Sequence, residues 1–208
     1  LLYLISNRLA FPHNPETTTI EVAREAAQAG CRLIQIREKD LSARALCEFA
    51  RSVIDAVRPY GAKVLVNDRL DVAFATGADG VHLRASSLRA SDAHKVAAGK
   101  GNNDFLIGVS THSLDEALAA ESGGADFLVC GPVYDTPSKR EYGFPIGIDR
   151  FAVICRTVKI PVLALGGINI SNFREPLRRG AAGIAAIGLF TDPQNVRSNV
   201  EKMLDAGI

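Results

Sequence analysis

An excess of either charge is almost absent from this chain. Its 24 Lys and Arg stand against 23 Asp and Glu, for a formal net charge of +1. A broad nucleic-acid footprint needs a basic excess, so nucleic acid is excluded as a partner. A small anion is not excluded, because a few local cations hold one. Also lacking is any apolar run near the ~18–20 residues of a membrane span, so the reading includes no membrane partner. The four cysteines, Cys31, Cys47, Cys130 and Cys155, form neither a C-x-x-C pair nor a zinc spacing with histidine. They read as reduced, mostly buried thiols of a cytoplasmic protein. The opening LLYLIS lacks the basic start and longer apolar stretch of a secretory signal. It lacks Met as well, so the chain is expected to begin a few residues into the natural protein.

The chain does have an ordinary globular composition, 47% hydrophobic and 23% charged over 208 residues. That suits one domain, residues 1–208, with a sizeable core. Within it a pattern repeats. A helix-like stretch ends in a glycine step and a short apolar run follows, at Gly30, Gly77, Gly124 and Gly180. Glycine after a helix takes the left-handed conformation that stops it. The first three glycines stand 47 residues apart and the last stands 56 further on. That is too long for one strand–helix unit and right for two. A second strand is therefore expected midway in each interval, and KVLV (63–66), FLIGV (105–109) and PVLAL (161–165) supply it, with LYLIS (2–6) before the first.

The resulting eight strands are continuous apolar runs, as parallel strands buried on both faces require. Amphipathic segments at Thr19–Ala29, Ala43–Val57, Leu88–Ala98, Leu114–Ser122 and Asp149–Thr157 separate them. The fold class is α/β, a single (β/α)8 TIM barrel. An open doubly wound sheet is the alternative, less favoured because the repeat runs evenly to the end.

In such a barrel the active site lies where the strands end. The residues there are Ser6-Asn7, Arg37-Glu38-Lys39, Asn67-Asp68-Arg69, Arg84 with Ser86-Ser87, Ser110-Thr111-His112, the long loop GPVYDTPSKREYGFPIG (131–147), Gly166-Gly167, and Gly188. Cations, hydroxyls and glycines dominate, which is the chemistry that holds phosphate. The nine extra residues of the last interval fall in the loop after strand 6, where Thr136, Ser138 and Lys139 crowd together; a long loop on this face reads as functional. Asp68 reads either as a helix N-cap or as a magnesium ligand. His82, inside strand 4, reads as a packed barrel histidine. His112 reads as a helix-start residue or a ligand contact.

The stretches LYLIS, IQIREKD, VNDRLDVA, GADGVHL, IGVSTHS, GADFLVCGPVYDTPSK, PVLALGGI and GAAGIAAIG, in this order, resemble the thiamine phosphate synthase family and its thiazole tautomerase-like branch over essentially the whole chain. The resemblance implies a transferase reaction. A pyrimidine methyl diphosphate loses pyrophosphate, and a thiazole phosphate nitrogen attacks the carbon left behind. It implies that Arg37, Lys39, Asn67, Ser110 and Lys139 contact the pyrophosphate and that Gln35 lies on the pyrimidine side. It implies Asp68 as one Mg2+ ligand, and a thiazole-phosphate pocket made by Thr136, Ser138, Gly167, Ile187 and Gly188. The partners implied are small phosphorylated substrates. Barrels of this size often pair, so a homodimer is left open, with no patch in the sequence to mark it.

The chain departs from the family pattern in three places. After strand 4 the family reads H-x-G-Q-x-D, with the Asp as second metal ligand. Here the order is H-L-R-A-S-S, so Arg84 and Ala85 replace Gly-Gln and Ser87 replaces the Asp. The family's opening Thr-Asp is Ser6-Asn7, and the tautomerase-like branch's histidine is Pro132. The expectation is a synthase-like enzyme with weakly bound Mg2+ and Arg84 supplying part of the missing charge. The alternatives are a tautomerase-like enzyme and a non-catalytic phosphate-ligand binding or regulatory protein.

Overall fold

The computed structural model describes residues 1–136 and 144–207. Eight parallel strands run β1 Leu2–Ile5, β2 Leu33–Ile36, β3 Lys63–Asn67, β4 Gly80–Leu83, β5 Leu106–Thr111, β6 Phe127–Cys130, β7 Val162–Ala164 and β8 Gly183–Ala186. Each pairs with the next in sequence, and β8 pairs with β1 through Tyr3 opposite Ala185, so the sheet closes. The helices between them are α1 Pro15–Gln28, α2 Ala43–Val57, α3 Leu70–Thr76, α4 Ala90–Gly99, α5 Leu114–Ser122, α6 Ile148–Thr157, α7 Arg174–Arg178 and α8 Val196–Leu204. The expected (β/α)8 barrel is the observed fold.

Closure explains why the strands do not alternate polar with apolar. Successive residues of a strand face opposite sides, and here both sides are dry. Tyr3, Ile5, Leu33, Leu65, Phe127, Val129, Leu163 and Ala185 form a cluster inside the barrel. Leu2, Leu4, Ile34, Val64 and Val66 belong to the larger cluster between barrel and helices. α2 shows the helical side of that layer. Leu46, Phe49, Ala50, Val53, Ile54 and Val57 recur at spacings of three and four and are all buried. Each large one stabilises the fold by roughly 1.5–3 kcal/mol. Ser42 caps this helix by accepting from the Ala45 N–H at 3.3 Å.

α2 and α5 have the bounds expected of them. α1 starts four residues before the expected Thr19, because Asn14 turns left-handed (φ +48°) and Pro15 opens the first turn. Gly77 stops α3 with φ +68°. The repeated G-A-D step has a second purpose at the opposite end of the barrel from the strand ends that carry the candidate residues. The Asp79 carboxylate accepts from the Val64 N–H at 2.8 Å, and the Asp126 carboxylate from the Ile107 N–H at 2.7 Å. Each aspartate ties its own strand to the start of the strand before it.

This end of a barrel serves stability rather than chemistry. Asp79→Ala is expected to lower the unfolding free energy by about 2 kcal/mol, the value of a hydrogen bond to a charged group, while leaving turnover at the wild-type level. Urea denaturation and a steady-state assay read the two effects.

Candidate active site

The strand ends gather their polar residues on one face. On β2 the side chain of Gln35 points into the barrel and is 1% exposed; Arg37, two residues on, lies on the same side at the mouth. Between them and β1 sits a buried clasp. Ser6 Oγ donates to Glu38 Oε1 at 2.5 Å and accepts from the Arg37 N–H at 2.9 Å. The Arg8 N–H donates to both Glu38 oxygens at 3.2 Å. Burial raises the Glu38 pKa above the ordinary carboxylate value, against the pull of Ser6 and Arg8. Glu38 is therefore a bolt between two strands, which leaves the cations on either side of it to face the mouth.

β3 ends in a sharp turn. Asp68 takes φ +57°, a left-handed conformation uncommon for a residue with a side chain. The turn swings its carboxylate across the end of β4. Asp68 Oδ1 accepts from the Arg84 N–H at 3.1 Å, and Oδ2 accepts from Arg84 Nε. Asp68 caps no helix; α3 begins after Arg69 without a side-chain cap. Arg69 makes a two-point pair with Asp71, at 2.8 and 2.6 Å. Around these groups lies a cavity of about 210 Å³ whose polar walls are Glu38, Lys39, Asn67, Asp68, Arg69 and Arg84. Cations outnumber carboxylates there, and the volume suits a small anion.

Beneath the mouth the barrel interior carries a hydrogen-bonded chain. Gln35 Nε2 donates to Tyr3 Oη at 3.1 Å, Tyr3 Oη lies 3.4 Å from His82 Nδ1, and His82 Nε2 lies 2.8 Å from Ser110 Oγ. His82 is 2% exposed. Burial drives its pKa down to about 3; Asp68 pulls it up and Arg37 pushes it further down. The ring is neutral at any physiological pH. It is the packed barrel histidine expected, with the addition that it holds a residue of the mouth.

The structure thus brings Lys39, Asn67, Asp68 and Arg84 to one cavity and links Gln35 to Ser110 through the interior. Arg37 stands at the mouth, half-buried and without an ion pair among the described residues. On the opposite side, Gly167 lies three residues past β7 at φ +67°, where a Cβ would come within 2.7 Å of Asp135 O. The chain leading to the half-buried Thr136 needs glycine there. Ile187 and Gly188 follow β8. A Cβ on Gly188 would meet nothing within 4 Å, and Ile187 borders a water-sized cavity of about 10 Å³ beside Ser6 and Asn7. Ser138 and Lys139 lie outside the described residues. His112, two residues before α5, pairs with Glu116 of that helix at 3.0 Å.

Tyr3 and the structural parts played by Ser6 and Glu38 were not anticipated. Tyr3 stands at an inward position of β1, the signal that would have found it. Glu38 reads as one of several charges until its two partners from β1 and the turn after it are known.

Magnesium is usually held by one or two protein carboxylates together with water and substrate phosphates. Asp68 is the carboxylate at the mouth, and both its oxygens are occupied by Arg84. No group of three or more His, Cys, Asp or Glu side chains able to hold a metal occurs among the described residues. With both Asp68 oxygens engaged, the described residues present Mg2+ with no free carboxylate at the mouth, and they do not fit an ion held by the protein alone.

A family model described as thiamine monophosphate synthase matches residues 2–190. A thiamine-phosphate synthase of Methanospirillum hungatei is 37% identical over 204 residues, 98% of this chain and 96% of the relative. That of Pyrococcus furiosus is 38% identical over 202 residues, 97% and 92% of the two chains. A solved structure of thiamine phosphate pyrophosphorylase from Pyrococcus furiosus superimposes with a TM-score of 0.85 at 36% identity, covering 99% of this chain and 94% of that one. No helix among the described residues is long and apolar enough to cross a membrane.

His82 makes stability depend on pH. Its folded pKa lies below the unfolded value of 6.5, so the unfolded chain binds a proton that the folded one refuses. The contribution is complete above pH 6.5 and is lost as pH falls toward 3, at about 1.4 kcal/mol per pH unit. Between pH 6.5 and 5 the wild type should lose about 2 kcal/mol more than His82→Gln, whose side chain does not titrate. Urea denaturation at the two pH values measures this; equal losses would contradict it.

Proposed function

The chain belongs to the thiamine monophosphate synthase family, and from that premise we propose that it joins a pyrimidine methyl diphosphate to a thiazole phosphate, releasing pyrophosphate and thiamine phosphate. One observation supports this most directly. The cavity at the ends of β2, β3 and β4 is lined by Lys39, Asn67 and Arg84, and among the described residues it offers no free base. Glu38 is bolted between strands, Asp68 is paired with Arg84, and His82 is buried and neutral.

The proposed reaction asks for this kind of site. The carbon–oxygen bond to the diphosphate breaks and its electron pair leaves with the diphosphate. The thiazole nitrogen gives its lone pair to the carbon and becomes a ring cation. No proton has to be removed. What the protein must supply is fixed positive charge where negative charge grows on the leaving group, and a frame that holds the two rings in line. Lys39, Arg37, Arg84 and the amide of Asn67 supply the first. Gln35, buried beneath them, lies on the pyrimidine side and acts there through the residues it bonds. The reading assigns the thiazole phosphate to Thr136, Ser138, Gly167, Ile187 and Gly188, and assigns Lys139 to the leaving group.

The altered metal position belongs to the same reading. Arg84 places a planar, permanently charged guanidinium at the mouth and occupies the oxygens that a cation would use. In this reading Arg84 carries part of the charge that magnesium would bring, and any Mg2+ is held by the diphosphate and water rather than by the protein.

The test is release of pyrophosphate that requires both substrates. Lys39→Ala should lower kcat about 10²-fold, as loss of a transition-state donor does. Mg2+ titrated calorimetrically should bind the wild type without measurable affinity and bind the Ser87→Asp, Arg84→Ala double variant. Absence of pyrophosphate release, or tight Mg2+ binding by the wild type, would contradict the reading.

A further inference from the structure

Tyr3, Gln35 and His82 are each no more than 2% exposed, so none of them meets substrate over an open surface. They end on Ser110, which is half-buried at the mouth. The protons of this chain can run in either of two directions, and the contacts select one. A phenol carries one proton. Gln35 Nε2 donates to Tyr3 Oη at 3.1 Å, so the phenol's own proton is left for its other partner, His82 Nδ1, at 3.4 Å. A fully buried imidazole stays neutral. If Nδ1 accepts, the ring's single proton sits on Nε2 and is donated to Ser110 Oγ at 2.8 Å. The Ser110 hydroxyl, with its lone pair taken from below, then turns its proton outward.

We infer that His82 is a positioning residue: the relay Gln35–Tyr3–His82 fixes the Ser110 hydroxyl as a donor aimed at the anion in the barrel mouth. The inference rests on the synthase reading for the identity of that anion, the leaving diphosphate. In the opposite polarity Ser110 would spend its proton on Nε2 and present only lone pairs to a negatively charged group, which repels it.

The packing is arranged to keep the ring in place. Gly108 faces His82 across the β4–β5 ladder. A Cβ there would come within 2.7 Å of His82 Nδ1 and 2.4 Å of the Phe127 ring. The glycine makes room for the imidazole at the point where Nδ1 must meet the phenol. The Tyr3 and Phe127 rings flank it at centroid distances of 5.7 and 6.1 Å.

The experiment uses the full chain labelled with 15N-histidine. The signals of His82 are identified by their loss in His82→Gln, and long-range 1H–15N correlations report the tautomer at neutral pH. The expected result is a neutral ring protonated on Nε2. A ring protonated on Nδ1, or on both nitrogens, would overturn the inference. Kinetics then separate positioning from packing. Ser110→Ala and His82→Leu should each lower kcat about 10²-fold, with KM for the diphosphate changing less than about threefold. His82→Gln, whose amide can donate from the Nε2 position, should recover most of that loss. Tyr3→Phe should lower kcat about tenfold and leave the His82 signals no longer confined to the Nε2–H form. Unchanged kcat in Ser110→Ala, or equal losses in His82→Leu and His82→Gln, would count against the role assigned. If the synthase reading itself is wrong, the wild type releases no pyrophosphate; if only the inference is wrong, an active wild type carries the other tautomer.

Discussion

A parallel strand that closes into a ring has no face turned to water. Every second side chain must fill the barrel and every other one must meet a helix, and polar groups are admitted only where a strand ends or where they bond to one another. The rest of this molecule follows from that constraint. Tyr3 and Gln35 are inward residues of β1 and β2, so they are polar groups in a dry interior and must find partners. They find each other and His82, and the chain they form ends at Ser110, the last inward residue of β5. The same count along each strand carries Arg37 and Arg84 past the filled interior to the rim. The interior network and the cationic mouth are two depths of one arrangement.

At the rim the deciding interaction is between Asp68 and Arg84. A left-handed turn at Asp68 holds its carboxylate against the backbone and side chain of Arg84. The pair is partly open to solvent, so its contribution to stability is small; its consequence is chemical. It leaves the carboxylate satisfied and the outer edge of a guanidinium facing the cavity. In the proposed reaction Lys39, Arg37 and Arg84 would meet a polyanion with charges fixed by the fold, with no reorganisation as charge develops on the leaving group.

Much of the architecture was legible in the chain because it depends on short-range pattern. Glycines at an even spacing and uninterrupted apolar runs implied eight strands, and serines ahead of α2 and α5 mark where those helices start. The start of α1 was not legible, since it depends on Asn14 turning left-handed. Lys39, Asn67 and Asp68 could be placed at the mouth because each stands within three residues of the end of an apolar run. Their connections could not. Ser6 meets Glu38 across 32 residues, and Asp79 bonds a strand that precedes it. No local pattern records such contacts. The G-A-D repeat itself was visible; that its aspartates tie strands together was not. Arg84 stood out as a departure from the family pattern, and the ion pair that explains it required the turn at Asp68.

The central claim is that the cations of the β2–β4 mouth receive a diphosphate without a metal ion held by the protein. Diffraction from crystals soaked with inorganic pyrophosphate in the presence of a chelator tests it most directly. The account predicts density for the anion against Lys39, Asn67 and Arg84, with the Asp68–Arg84 pair intact. Pyrophosphate bound elsewhere in the barrel, or bound here only when a metal ion displaces Arg84 from Asp68, would contradict it.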